Sequence, residues 1–96
     1  MIIARIIGSV VSTIKEPKLV SQKLLILRQC DSSGTLSGPE MVAIDTVGAG
    51  TGELVIVALG SAARETDKTA GAPVDAAIVG VIDSLEVESG ATFRKE

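Results

Sequence analysis

The sequence contains no histidine, tryptophan or tyrosine, and its only aromatic side chain is that of Phe93. Histidine is the side chain that most often transfers protons near neutral pH, and it is a common base for activating a serine or cysteine nucleophile. A single cysteine, Cys30, can neither form an internal disulfide nor complete a structural zinc site alone. We therefore expect no catalytic residues, no cofactor and no metal site in this chain.

Positive charge is also scarce, since nine Lys and Arg residues stand against twelve Asp and Glu residues, for a net charge of −3. Such a chain has no cationic excess to neutralise phosphates and no row of aromatic rings on which bases would stack. No apolar run reaches the ~20 residues of a membrane-spanning helix, and residues 1–5 lack the features of a signal peptide. We expect a cytoplasmic protein with no nucleic-acid and no membrane partner.

Val, Ile and Thr supply 28 of the 96 residues, and ten glycines are spread among them. This composition favours strands joined by tight turns. A monomer of this length buries only about 60–65% of the surface that its unfolded chain exposes, so contacts with further subunits would add stability. We predict an all-β fold: a small closed β-barrel of five strands with one short helical turn over residues 1–87, followed by a polar tail over residues 88–96.

Apolar runs and chain breakers divide the sequence into five strands and a weaker sixth. Gly8 interrupts the first strand and predicts a bulge or a bend. Ser61 is the expected N-cap of the helical turn, and the tail is expected either to be flexible or to dock through Phe93. The predicted strands span residues 2–14, 23–29, 41–46, 53–59 and 76–82, with the weaker one at 84–87; the helical turn spans 60–65, and surface loops span 31–38 and 66–73.

Two of the predicted strands are apolar on both faces, at residues 24–27 and 54–57. A strand whose outer face meets water normally alternates apolar and polar residues. The outer faces must therefore be covered, either by other subunits or by the helical turn and the tail of the same chain. We favour contacts between subunits, because so short a chain has few residues with which to cover its own barrel.

Residues 47–52 combine three glycines with Ala49 and Thr51, between two strands. A dinucleotide-binding loop would open a helix, and a Walker-type loop would end in Lys followed by Ser or Thr. Here a strand follows, and Glu53 stands directly after the last glycine. The glycines therefore indicate a tight turn with positive φ angles, or a place where backbones of neighbouring subunits approach closely.

The remaining candidates for chemistry are charged side chains, each with a structural alternative. Two carboxylates would suit glycoside hydrolysis, but the chain has no aromatic rings for a sugar-binding cleft. We expect the carboxylates to accept backbone N–H groups at turns instead. Lys15 and Arg64 belong either to solvated loops or to ion pairs between subunits. The acidic candidates are Asp45, Glu53, Asp75 and Asp83.

Five segments, in order and at the right spacing, resemble the EutN/CcmL family, the vertex proteins of bacterial microcompartment shells. The first is an aliphatic-Gly-x-Val strand that ends in Thr-x-Lys, and the most specific reads Val-Ala-Ile-Asp-Thr-Val-Gly-Ala-Gly-Thr-Gly-Glu-Leu-Val. Leu-Val-x-x-Lys-Leu-Leu, Gly-Ser-Ala-Ala-Arg and Pro-Val-Asp-Ala-Ala-Ile-Val-Gly-Val-Ile-Asp complete the set. Along the chain, the five segments are residues 6–15, 19–25, 42–55, 60–64 and 73–83.

The resemblance implies a β-barrel related to the OB fold, assembled as a cyclic homopentamer at the five-fold vertices of a polyhedral shell. Some members of the family have been seen in crystals as hexamers. The implied partners are the facet shell proteins, which are hexamers of an unrelated fold, and the shell encloses carboxysome enzymes or catabolic enzymes that make a volatile aldehyde. The expected function is structural. The alternative is an OB-like module that binds a small ligand or nucleic acid.

On this interpretation the functional residues lie at the interface between subunits or around a central pore. We expect residues 47–52 near the five-fold axis, with Glu53 giving the pore negative charge or pairing with Lys15 or Arg64 of a neighbour. A bulky residue in place of Gly50 is expected to collide with its symmetry mates or to demand a forbidden φ. The interface or pore candidates are Thr13, Lys15, Asp45, Gly48, Ala49, Gly50, Thr51, Gly52, Glu53, Ser61 and Arg64.

Overall fold

A computed structural model describes residues 1–95 of the chain. Over these residues the fold is all-β, as predicted, with seven strands and one short 3₁₀ helix between the fourth and fifth strands. The elements are β1 (Ile2–Ser9), β2 (Lys23–Cys30), β3 (Leu36–Asp45), β4 (Leu54–Leu59), the 3₁₀ helix (Gly60–Arg64), β5 (Ala76–Val81), β6 (Ser84–Val87) and β7 (Gly90–Arg94).

The first five strands close into a barrel in the order β1-β2-β3-β5-β4, with β4 paired to β1. Neighbouring strands are antiparallel except β3 and β5, which pair in parallel over two residues each, Ile44 with Ala77 and Asp45 with Ile78. This confirms the predicted small closed barrel, whose five strands are the number found in the OB fold. Barrel diameter grows with strand number, so five strands leave an interior that side chains fill completely.

Aliphatic side chains from alternate strand positions fill the barrel interior. Residues two apart on a strand share a face, and Leu25 with Leu27 on β2, like Val55 with Val57 on β4, point inwards and are at most 1% exposed. The second apolar face of each of these strands therefore lies on the outside of the barrel.

The chain itself covers much of that outer face. Leu54 of β4 is buried in a cluster that includes Ile82 and Phe93. Leu24 of β2 is partly buried against a cluster that includes Ala63 of the 3₁₀ helix. The cover that we expected from neighbouring subunits is thus supplied at these positions by the helical turn and the tail. Other outer residues remain exposed, among them Ile56 at 36% and Val42 at 49%.

The first strand is shorter than predicted, and the third is longer. The bulge expected at Gly8 is present, as a register shift against β2 between Ile6 and Gly8. The strand nevertheless ends at Ser9 and does not reach residue 14. Beyond its last pair, Ser9 with Leu25, β2 has only Leu24 and Lys23 left, so residues 12–14 have no partner there. β3 begins at Leu36 rather than at residue 41, because the β2 partner extends to Cys30 and pairs with it there.

The predicted helical turn is a 3₁₀ helix, but the assignment of Ser61 as its N-cap is wrong. Gly60 has a φ of 63°, which turns the chain out of β4, and the helix starts two residues earlier than an N-cap at Ser61 would allow. Leu59 therefore occupies the N-cap position, with no side-chain hydrogen bond.

The polar tail forms the second strand of a hairpin, in which β7 pairs with β6. Phe93 lies against the cluster around Leu54, so the tail docks through its one aromatic ring. The domain boundary predicted at residue 87 falls in the turn of this hairpin and stays a prediction. The last residue of the predicted tail, 96, lies outside the described residues.

Candidate subunit interface

The structure brings most of the predicted interface residues to one end of the barrel. Asp45 ends β3 at that end, and residues 46–53 connect it to β4. The arm, defined as residues 10–16 between β1 and β2, starts nearby, since the Val10 N–H donates to the Leu24 carbonyl (3.0 Å) beside the paired residues Lys23 and Asp45. Ser61 and Arg64 lie apart, in the 3₁₀ helix at the far end of β4.

Asp45 organises the glycine-rich loop, defined as residues 47–52. Its carboxylate accepts the backbone N–H groups of Val47 (3.0 Å), Gly48 (3.2 Å) and Ala49 (2.9 Å). Asp45 is only 7% exposed, and a carboxylate removed from water needs such donors. The expectation that this carboxylate serves the backbone of a turn is confirmed.

Ala49 anchors the middle of the loop in the barrel core. It is 1% exposed and packs in the same cluster as Leu25 and Val55. Its carbonyl oxygen accepts a hydrogen bond from the Lys23 ammonium group (3.2 Å). The Ala49 side chain therefore closes one end of the barrel, and a larger side chain at this position would disturb the packing of the core.

Glu53 joins the end of the loop to the C-terminal tail. One carboxylate oxygen accepts the Gly50 N–H (2.7 Å), and the other binds the Lys95 ammonium group (2.7 Å). The hydrogen bond from Lys95, followed by that from Gly50, holds the pKa of Glu53 below its ordinary value of 4.5. The hydrogen bond between Lys95 and Glu53 also raises the pKa of Lys95 above its ordinary value of 10.5.

Further backbone contacts hold the last turn of the loop against β1. The Gly52 N–H donates to the Ile6 carbonyl (2.8 Å), and the Arg5 guanidinium donates to the Gly52 carbonyl (2.8 Å). Gly48 and Gly52 have φ angles of 77° and 92°, as expected for a tight turn of glycines, whereas Gly50 lies outside the left-handed region. The expectation of a forbidden φ at Gly50 is therefore wrong, and the positive φ angles lie at Gly48 and Gly52, two residues to either side. Thr51 is exposed at the tip.

The two candidates in the 3₁₀ helix are exposed, and one of them stabilises a loop. The Arg64 guanidinium donates to the Val74 carbonyl (3.0 Å), which holds the segment that leads into β5. Ser61 is exposed and makes no capping bond. Whether either residue also contacts a neighbouring subunit stays a prediction.

Thr13 and Lys15 lie on the arm, where both are exposed. The arm carries no strand or helix, and Val11 at its start is 97% exposed. An apolar β-branched residue so fully in water contributes nothing to the stability of the isolated chain.

Two residues of this end of the barrel were not among the predicted candidates. Lys95 reaches Glu53 from 42 positions away, and Lys23 reaches Ala49 from 26 positions away. Lys95 belongs to no motif, and Lys23 is the lysine of the Leu-Val-x-x-Lys-Leu-Leu segment, but that segment gave no sign of a contact with Ala49. Phe93 did carry a signal, as the only aromatic residue. Together with the loop end, the tail lines a cleft of about 310 Å³ formed by Gly52, Glu53, Leu54, Ile82, Phe93, Arg94 and Lys95.

The structure also shows the surroundings of the thiol and the carboxylates. Among residues 1–95, no group of three or more Cys, Asp or Glu side chains is placed to hold a metal ion. Cys30 is buried, its thiol donates to the Arg28 carbonyl (3.6 Å), and burial raises the pKa of the thiol above 9.0, which keeps it protonated at neutral pH. In the same part of the chain, no helix has the length and apolar character needed to cross a membrane. What the site does supply is a rigid, glycine-rich surface at one end of a barrel.

Comparison with known proteins gives the class to which such a barrel belongs. The chain belongs to the family described as ethanolamine utilisation protein EutN/carboxysome, whose model matches residues 1–83. The five segments identified in the sequence therefore mark a true family relationship.

Individual relatives are similar over almost the whole chain. The carboxysome shell vertex protein CcmL of Synechocystis sp. is 44% identical over 95 residues, which cover 99% of this chain and 95% of that protein. The bacterial microcompartment shell vertex protein PduN of Salmonella typhimurium is 46% identical over 90 residues, covering 88% of this chain and 98% of that protein. A solved structure of GrpN, a pentameric microcompartment shell protein from Rhodospirillum rubrum, aligns with a TM-score of 0.82 at 41% identity, covering 91% of this chain and 99% of that one.

Proposed function

We propose that this chain is a vertex subunit of a bacterial microcompartment shell in the cytoplasm, and that it acts by assembling rather than by catalysis. The observation that carries the proposal is the alignment of the whole barrel with a shell protein described as pentameric. Relatives named as shell vertex proteins support this role over that of an OB-like binding module.

The geometry of a closed shell explains why such a subunit is needed. A sheet of hexagonal units stays flat, and twelve pentagons are required to close it into a polyhedron. A ring of five copies uses a heterologous interface, in which two different surfaces of each protomer meet and every step rotates by 72°. The partners of the ring are then the hexameric facet proteins of the shell.

The glycine-rich loop suits a position near the ring axis. Asp45, Ala49 and Glu53 hold its backbone from three sides, so its shape does not depend on neighbours. Three of the four exposed residues of the loop, Gly48, Thr51 and Gly52, are small, which allows five backbones to converge, and Val47 is its one larger exposed side chain. We propose that residues 47–52, together with Thr13 and Lys15 of the arm, form the interface or line the pore.

Native mass spectrometry of the purified protein tests the assembly. We expect a mass of five copies of the 9.8 kDa chain. A monomer at micromolar concentration contradicts the proposal, and so does a solution hexamer, because a six-fold ring cannot occupy a five-fold vertex.

Co-expression with hexameric facet proteins tests the partner. We expect closed polyhedral shells when this chain is present and open sheets or tubes when it is omitted, as seen by electron microscopy. Closed shells without it would remove the need for a vertex role.

Titration with single-stranded DNA at ~150 mM salt tests the alternative. A net charge of −3 and a single aromatic ring predict no saturable binding at micromolar concentration. Saturable micromolar binding would instead favour the OB-like module.

A further inference from the structure

The arm has the composition of a strand but no strand partner in its own chain. Four of its first five residues are β-branched, namely Val10, Val11, Thr13 and Ile14. Within residues 1–95, the Val10 N–H bonds to the Leu24 carbonyl, and no hydrogen bond reaches the backbone N–H groups of residues 11–15. Local preference and the fold of the single chain therefore disagree here, which is typical of a functional segment.

We propose that the arm becomes a strand in the assembled ring by pairing with the backbone of a neighbouring copy of this chain. The inference rests on the proposed pentamer and adds the way in which its subunits join. An extended, unpaired and β-branched segment is suited to strand addition, in which main-chain hydrogen bonds supply affinity.

A second copy is the partner that the observations favour. The arm lies within residues 1–83, the part that the family model matches, and a relative that covers most of this chain is described as pentameric. Val11 is 97% exposed in the single chain, and burial against another copy would remove that apolar surface from water. The family relationship thus links the arm to ring formation rather than to a feature of this chain alone.

The chain also has an unpaired strand edge of the kind that the arm requires. β3 pairs with β2 along most of its length but with β5 only at Ile44 and Asp45. Its earlier part, residues 36–43, therefore has one edge without a ladder partner among the described residues, and Val42 there is 49% exposed. The arm and this edge are different surfaces of one protomer, as a heterologous ring needs.

Alternation along an extended chain shows which arm amides are available. The Val10 N–H points towards β2 of its own chain, so in an extended arm the Ser12 N–H points to the same side. The N–H groups of Val11 and Thr13 then point to the opposite side, towards a neighbour. Proline at position 13 removes one of these donors, whereas proline at position 12 leaves both in place.

Hydrogen exchange on the wild-type assembly is the first measurement. We expect the amides of Val11 and Thr13 to exchange at least ~100-fold more slowly than those of Asp67 and Lys68, because ladder bonds protect amides and exposed loop amides exchange freely. Asp67 and Lys68 are exposed, and no acceptor for their N–H groups is found in residues 1–95. Equal exchange rates in a confirmed pentamer would overturn this inference and leave the proposed function standing.

The two proline variants are the second measurement. We expect Thr13→Pro to raise the concentration at which the ring dissociates at least about tenfold, since one lost hydrogen bond recurs at every interface. Ser12→Pro should change that concentration by less than about threefold. Equal loss of assembly in both variants would contradict pairing through the amide of Thr13.

Circular dichroism of both variants separates assembly from folding. Both should keep the wild-type strand spectrum, because the arm makes few contacts within its own chain. If a variant fails to fold, the exchange rates of the wild-type ring decide alone. A monomeric wild type, in contrast, would defeat the proposed function itself.

Discussion

The carboxylates of Asp45 and Glu53 accept hydrogen bonds from backbone N–H groups of the glycine-rich loop and so fix its conformation. Asp45 satisfies three consecutive N–H groups of the loop, and Glu53 binds one N–H group and one ammonium group. Both lie in the most family-specific segment of the sequence. The residues that a search for catalysis would select first are thus the ones that keep a glycine-rich surface in one shape.

Replacement of Asp45 by alanine leaves three N–H groups without their acceptor. We expect Asp45→Ala to lower the free energy of unfolding by about 1–3 kcal/mol, because the loop must find water for these donors or rearrange. Asp75→Ala is the control. Asp75 is exposed and its side chain accepts no hydrogen bond among the described residues, so its loss should stay within about 0.5 kcal/mol. Urea unfolding at equal protomer concentration measures both values, and similar values would contradict the role of Asp45.

The ion pair of Glu53 and Lys95 predicts a dependence of stability on pH. The pKa of Glu53 is lower in the folded chain than its ordinary 4.5, so its stabilisation is present above pH 4.5 and is lost as the pH falls through the folded value. The pKa of Lys95 is raised, so its contribution is present below pH 10.5 and is lost as the pH rises through the folded value.

A pH series of urea unfolding midpoints for the wild type and Lys95→Met checks this dependence. We expect the two midpoints to differ most between the two pKa values and to converge in acid and in strong alkali. Added salt should also reduce the difference, because the pair is exposed. A difference that stays constant over the pH range would show that the lysine acts through its methylene groups alone.

At the scale of whole elements, the β6–β7 hairpin protects the outside of the barrel. It covers Leu54 through Phe93 and ties the end of the glycine-rich loop through Lys95. The family model ends at residue 83, before the first strand of this hairpin. The hairpin is therefore a cover outside the matched segment, whereas the barrel and the arm lie inside it.

Removal of the ring of Phe93 should loosen the hairpin. We expect Phe93→Ala to lower the free energy of unfolding by about 1–3 kcal/mol, which is less than for a fully buried Phe because this ring is half-buried. The hairpin should also become sensitive to limited proteolysis, while Phe93→Leu should keep most of the packing. If the alanine variant resists protease as well as the wild type, the ring does not hold the hairpin in place.

At the scale of the whole molecule, two glycines of the glycine-rich loop differ in what they are needed for: Gly48 for the fold of the single chain, and Gly50 for assembly of the ring. A Cβ atom at Gly50 would meet only the Glu53 carboxylate at 3.6 Å, an ordinary contact, and its φ is not in the left-handed region. The single chain therefore tolerates a side chain there. Gly48, with a φ of 77°, does not.

Gly50→Val consequently tests the assembly with little effect on the fold. We expect this variant to keep its strand spectrum but to lose the pentamer, because five β-branched side chains would crowd the ring axis. Gly48→Val should instead lower the stability of the chain itself by about 1–2 kcal/mol. Native mass spectrometry and urea unfolding distinguish the two outcomes. An unchanged pentamer for Gly50→Val would place the loop away from the axis.

Much of the barrel could be predicted from the sequence, because strand formation depends on local alternation and on turn residues. Apolar runs marked all five barrel strands, Gly8 marked the bulge, and the glycines of residues 47–52 marked a tight turn. Asp45 could also be assigned to a turn, because its donors lie within four positions of it.

Only the tertiary structure decided where strands end and what covers them. β1 cannot continue to residue 14 because its partner β2 begins at Lys23, two residues past the last pair of Ser9 with Leu25, and the β-branched pattern beyond Ser9 gives no sign of that limit. The cover of Leu54 and the contact of Lys95 with Glu53 join segments far apart in the chain, and their pairing depends on how the barrel closes. Local preference reports what a segment favours, whereas its partner is set by the closed barrel, and for the arm that partner lies in another copy of the chain.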